Sequence, residues 1–176
     1  MIIKKISFIL LTVIVAAFAA VSCNIAADDA DPKADVVTEE MINITLDIDV
    51  LAEELFSRIE YDDTLEKVED FVVDMLYNCS ENVTASAGYC ASGGTAEAVA
   101  VFECETAENA DAVIEKLNVY KASMAEDFTR YTPGEVEKLN GAKIVQVGRY
   151  VIFSVSPNPD KAADIINEHI EQLLNK

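Results

Sequence analysis

The stretch AKIVQVGRYVIFSVS (142–156) leaves few architectures open. Two alternating apolar runs flank Gly148-Arg149, a two-residue turn with glycine first, so the segment should fold back as a β-hairpin. Pairing Val147 with Tyr150 places Ala142, Ile144, Val151, Phe153 and Val155 on one face, Gln146 being the exception. Val145, Val147, Tyr150 and Ile152 take the other face. One face must be core. The other is either covered or an exposed apolar strip, which makes those four residues a candidate contact surface.

A second hairpin lies upstream, with extended runs over 83–91 and 97–104 joined by SGGT. If Cys90 stands opposite Ala98, then Cys90, Ala98, Ala100, Phe102 and Cys104 share a face. Each hairpin leads into a helix. The first, over 107–130, carries Ala110, Val113, Ile114, Leu117, Met124 and Phe128 on one stripe. The second starts at NPDK, with Asn158 as cap and Pro159 in first position, and lines up Ala162, Ile165, Ile166, His169, Ile170 and Leu173. Between them TPGEVEKL reads as a helix start, with Thr132 as cap and Glu135 closing a capping box. A shift of 52 residues aligns Val99 with Val151 and Ala110 with Ala162, a hairpin–helix, hairpin–helix pseudo-repeat. The expected fold is α+β, a four-stranded antiparallel sheet with helices packed on one face in a two-layer sandwich. Upstream, 47–60 has helical spacing. A second helix is expected over 65–77, with a short strand as rival because Val72-Val73 is β-branched.

At 176 residues the chain suits one domain plus a signal. Residues 1–22 place Lys4 and Lys5 before an apolar run ending in small residues, the order of a secretory signal peptide. Ala20-Val21-Ser22-Cys23 approximates a lipobox, so Cys23 is the candidate lipid attachment site and anchors the chain to a membrane. Ordinary cleavage, which would leave a secreted protein, is the competing reading. Residues 23–46 read as the lipidated Cys and an acidic flexible tether, and 47–176 as the single α+β domain. The whole chain carries a net charge of −19. No basic patch is present to displace counterions from phosphates, so nucleic acid is excluded as a partner.

The segments GTAEAVAVFECETAENADAVIEKL and FTRYTPGEVEKLNGAKIVQVGRYVIFSVS resemble a family of uncharacterised lipoproteins from clostridial and related gut bacteria, a domain of unknown function. The matching elements are Ala-Glu-x-x-Ala-Val-Phe (Ala96 to Phe102), Tyr-x-Pro-x-Glu (Tyr131, Pro133, Glu135) and Gly-x-Tyr-Val (Gly148, Tyr150, Val151). The resemblance spans about 45–175. It implies a signal and a lipid-modified cysteine, and it implies no activity.

Little else points to chemistry. Cys79 and Cys90 enclose a short loop and are candidates for a disulfide, with Cys104 as an alternative partner for either. His169, the only histidine, lies on the apolar side of its helix. Carboxylates are too numerous for any pair to stand out, Asp29, Asp31 and Asp35 lack the rest of a calcium loop, and no phosphate-binding loop or nucleophile elbow occurs. No cofactor or metal is expected. The expected function is a membrane-anchored extracellular lipoprotein, a non-enzymatic binding module whose partner is an envelope protein or cell-wall component. The second expectation is a small envelope hydrolase using Cys or carboxylate chemistry.

Overall fold

The computed structural model describes residues 44–175. The signal, Cys23 and most of the tether lie outside them. Within the described residues, α1 (Ile48–Arg58) is followed by β1 (Leu65–Val68), α2 (Asp70–Tyr77), β2 (Val83–Ala91) and β3 (Ala98–Cys104). Then come α3 (Ala107–Tyr131), α4 (Pro133–Gly141), β4 (Lys143–Val147), β5 (Tyr150–Val155) and α5 (Pro159–Leu174). Both expected hairpins form. Cys90 pairs with Ala98, and Val147 with Tyr150 across a turn in which Gly148 has φ of 56°. The left-handed region is open to glycine because it lacks a Cβ.

The sheet has five strands in the order β1-β2-β3-β5-β4, all neighbours antiparallel, one more than the expected four. The extra strand comes from the segment expected to be one helix over 65–77. Leu65–Val68 pairs with Gly88–Ala91, and only the second half becomes α2. Leu65 packs on one face of the sheet and Val68 on the other, the period of two that a strand imposes. Helical spacing over the same residues could not register the free edge of β2 that captures them.

Helices cover both faces, so the expected two-layer packing is corrected to a sheet between two helical layers. On one face α1 and α5 bring Leu51, Leu55, Ile165 and Ile166 onto Val99, Val101, Tyr150 and Ile152. On the other, α2, α3 and α4 bring Val73, Tyr77, Val113, Leu117 and Leu139 onto Ala100, Phe102, Val151 and Phe153. The sequence carries the reason. Every position of β5 is buried, and strands buried on both sides read as continuous apolar runs. The candidate contact strip fails on this point: Val147, Tyr150 and Ile152 are fully buried and Val145 packs against the same cluster, beneath α1 and α5. Ile44 and Leu46 also join that core, so the folded domain starts a few residues before the expected boundary at 47.

The helix starts follow local chemistry in three cases. Asp47, Thr106 and Asn158 accept hydrogen bonds from the amides of Val50, Asn109 and Lys161, satisfying groups a helix leaves free at its first turn. The fourth departs from expectation. Thr132 makes no side-chain cap to α4, and Glu135 turns inward instead of closing a capping box.

Candidate functional site

Glu135 turns inward because a buried ammonium awaits it. At the end of the sheet where the β2–β3 turn meets α4, Lys138 Nζ stands 2.7 Å from Asp62 Oδ2, 2.8 Å from Glu97 Oε1 and 3.0 Å from Glu135 Oε1. Glu97 is fully buried and also accepts from the amides of Asp62 and Asp63, at 3.1 and 3.0 Å. Glu135 Oε2 accepts from the Ala96 amide at 2.9 Å. Burial alone would pull the Lys138 pKa down, but its hydrogen bonds to Asp62, Glu97 and Glu135 outweigh that and hold it above its ordinary value.

This cluster ties the loop before β1, the β2–β3 turn and α4 into one corner. Its Lys fills the space between the carboxylates, where a cation would otherwise be required. Among the described residues no group of three or more His, Cys, Asp or Glu side chains is arranged to hold a metal ion. The sequence did hold two signals for the cluster. Glu97 immediately precedes the apolar run of β3, and Glu135 and Lys138 lie at the i,i+3 spacing of a helical ion pair.

The cysteines and the histidine fall on opposite sides of the sheet. Cys79, Cys90 and Cys104 are free thiols, so the candidate Cys79–Cys90 disulfide is corrected. Cys79 donates to the Tyr77 carbonyl oxygen at the end of α2, and Cys104 is buried at the end of β3. Burial pushes both thiols up to about 11, and it also raises Cys90 against the lowering effect of a hydrogen bond with Tyr77. These are small core side chains in apolar surroundings, where the thiolate is disfavoured. His169 is in the other helical layer, with Nδ1 3.2 Å from Glu54 Oε2 between α5 and α1. A Cys–His nucleophile pair would need hydrogen-bond contact between groups that the sheet keeps apart.

A groove opens beside α2. It has a volume of about 210 Å³ and runs between Asp70, Phe71 and Asp74 of the helix and Val83–Ser86 of β2, with Val73 and Phe102 among its lining. α2 buries Val73 and Tyr77, which leaves Phe71 and Met75 70% and 71% exposed. Those two aromatic and thioether side chains stand four residues apart on one side of the helix. The sequence-based candidate surface is thus buried, and one accessible apolar surface among the described residues lies beside α2.

A family model described as "Domain of unknown function (DUF4358)" matches residues 59–156. The match covers β1 through β5 and includes every member of the Lys138 cluster. Comparison with curated proteins and with solved structures finds no match.

Proposed function

We propose, for a chain that belongs to the DUF4358 family of domains of unknown function, a role as a lipid-anchored, non-enzymatic binding module on the extracellular face of a bacterial cell membrane. The observation that carries this reading is the apolar run of residues 6–21 ending at Ser22-Cys23, followed at once by acidic sequence. Two or more acyl chains on one cysteine would hold a protein of this size stably, whereas a single chain binds marginally at about 0.8 kcal/mol per buried CH₂. The apolar stretch itself is shorter than the roughly 20 residues of a spanning helix, and no described helix is long and apolar enough to cross a membrane.

The folded domain supports binding over catalysis in the way its polar groups are used. Lys138 is held by Asp62, Glu97 and Glu135 in a corner that joins three segments of the chain, so these groups are engaged in holding the fold. What the domain offers to solvent is an apolar groove with an acidic rim. An acidic chain held near anionic headgroups is pushed outward along its tether, which presents that groove to the wall or to neighbouring proteins.

The test is intact-mass analysis and detergent phase partitioning of the chain recovered from its native envelope. A mature chain beginning at Cys23, carrying acyl mass and partitioning with detergent, supports the reading. Cys23→Ser should release it to the aqueous phase. A soluble, unacylated mature chain would overturn the anchor.

A further inference from the structure

We propose that the groove between α2 and the free half of β2 receives an extended segment of a partner protein, added to the sheet as a strand and carrying both apolar side chains and Lys or Arg. This rests on the binding-module reading above and names the chemistry of the partner.

The backbone sets the first requirement. β2 runs from Val83 to Ala91, but β1 pairs only with Gly88–Ala91, so among the described residues Val83–Ala87 have a strand on one side alone. A row of unpaired amides and carbonyls is a template for another strand. β1 cannot extend along it, because after Val68 the chain turns through Glu69 into α2. α2 then stands as a wall beside the open edge, with Asp70, Phe71 and Asp74 on the groove.

The side chains set the second requirement. Phe71, Val73, Val83 and Phe102 supply apolar lining. Asp70 and Asp74 supply negative charge; Asp74 Oδ1 accepts from the Ser80 amide at 2.5 Å, and no ion pair among the described residues engages either carboxylate. A strand laid there turns every second side chain toward the groove, where apolar lining and carboxylates stand together, which selects both apolar and basic residues. Charge also decides among occupants. A second copy brings a net −19 against an acidic rim, and the chain's own segment with Asp28, Asp29, Asp31, Asp35, Glu39 and Glu40 is repelled in the same way. An anionic lipid surface is excluded on the same ground.

The full-length chain in detergent is incubated with arrayed octapeptides that combine Lys or Arg with Val, Leu or Phe, and with a matched array in which Glu replaces the basic residues. The basic array should bind and the acidic one should not. N-methylation of alternate amides in the best binder should weaken it at least tenfold by removing strand hydrogen bonds. The double substitution Asp70→Lys, Phe71→Ser should weaken it by a similar factor. Both residues are exposed and only the first-turn charge of α2 is lost, so the chain should still melt cooperatively within a few degrees of wild type, which separates lost binding from lost folding. A silent basic array, or binding indifferent to N-methylation or to the double substitution, overturns the proposal. Crosslinking in the native envelope separates the two readings. If wild type and the doubly substituted chain capture the same specific partner, the groove proposal falls and the module reading stands. If wild type captures none, both fall.

Discussion

Replacing Lys138 with Met removes the cation from the corner cluster while keeping an unbranched side chain of similar length. In the wild type its side chain is 13% exposed, and its three partners differ sharply in exposure. Asp62 is 64% exposed, so water screens it and it contributes little. Glu97 at 0% and Glu135 at 9% are the two carboxylates that would be left buried without a counter-charge. Removing one partner of a buried pair costs about 3–5 kcal/mol, because the other charge remains desolvated. The backbone amides that Glu97 and Glu135 already accept from soften this, which places the expected loss near the lower bound, about 3 kcal/mol. Adding Glu97→Gln removes one uncompensated charge and keeps an oxygen for one of those amides. The double variant should therefore recover about 1–2 kcal/mol relative to Lys138→Met alone. Urea unfolding of the wild type, both single variants and the double variant at pH 7, followed by far-ultraviolet circular dichroism, gives all four stabilities at comparable slope. A loss under about 1 kcal/mol for Lys138→Met, or strictly additive losses in the double variant, would refute the claim that the cluster is held by its charges.

Further outcomes follow from the same geometry. Lys138 has a folded pKa above its ordinary 10.5, burial lifts Tyr120 from 10.0 to about 12, and it lifts Cys79 and Cys104 from 9.0 to about 11. In each case the unfolded chain loses its proton first, so stability is complete below about pH 9 and falls progressively as pH rises through the folded values. Thermal melts from pH 7 to 12 should show this alkaline decline, and Lys138→Met should flatten the part above pH 10.5. Cys79 and Cys104 should resist a thiol reagent at pH 8 in the folded chain and react fully in denaturant, and non-reducing peptide mapping should find Cys79 and Cys90 unlinked. Ile152→Ala should destabilise by about 2–5 kcal/mol, as a core truncation does, while leaving peptide capture by the α2 groove intact. Gly88→Ala should also destabilise, by about 1–3 kcal/mol, because its Cβ would stand 3.1 Å from both Val73 Cγ2 and the Val99 carbonyl oxygen.

The elements defined by neighbours in the chain were legible from the sequence. Gly148-Arg149 dictates its turn, the alternation on either side dictates which residues share a face, and the Cys90–Ala98 register follows from the SGGT turn. Asn158 marks a helix start because a capping side chain acts within three residues of itself. The opening of the chain, with its basic residues, apolar run and Cys23, is likewise a linear signal.

What required the tertiary structure depends on partners far along the chain. Leu65–Val68 is a strand because β2 offers it an edge, although its own spacing suits a helix. Periodicity sorts Val147, Tyr150 and Ile152 onto one face but cannot say whether a helix lies over that face, and α1 and α5 do. Glu135 has the local sequence of a capping residue and is drawn away by the Ala96 amide and the Lys138 ammonium, which offer a buried carboxylate more than a helix terminus in water can. The groove beside α2 exists because one strand is shorter than the neighbour it pairs with, a mismatch between segments that no single window of sequence contains. Local periodicity is a property of the chain, whereas coverage, charge pairing and an open edge are properties of segments brought together in space.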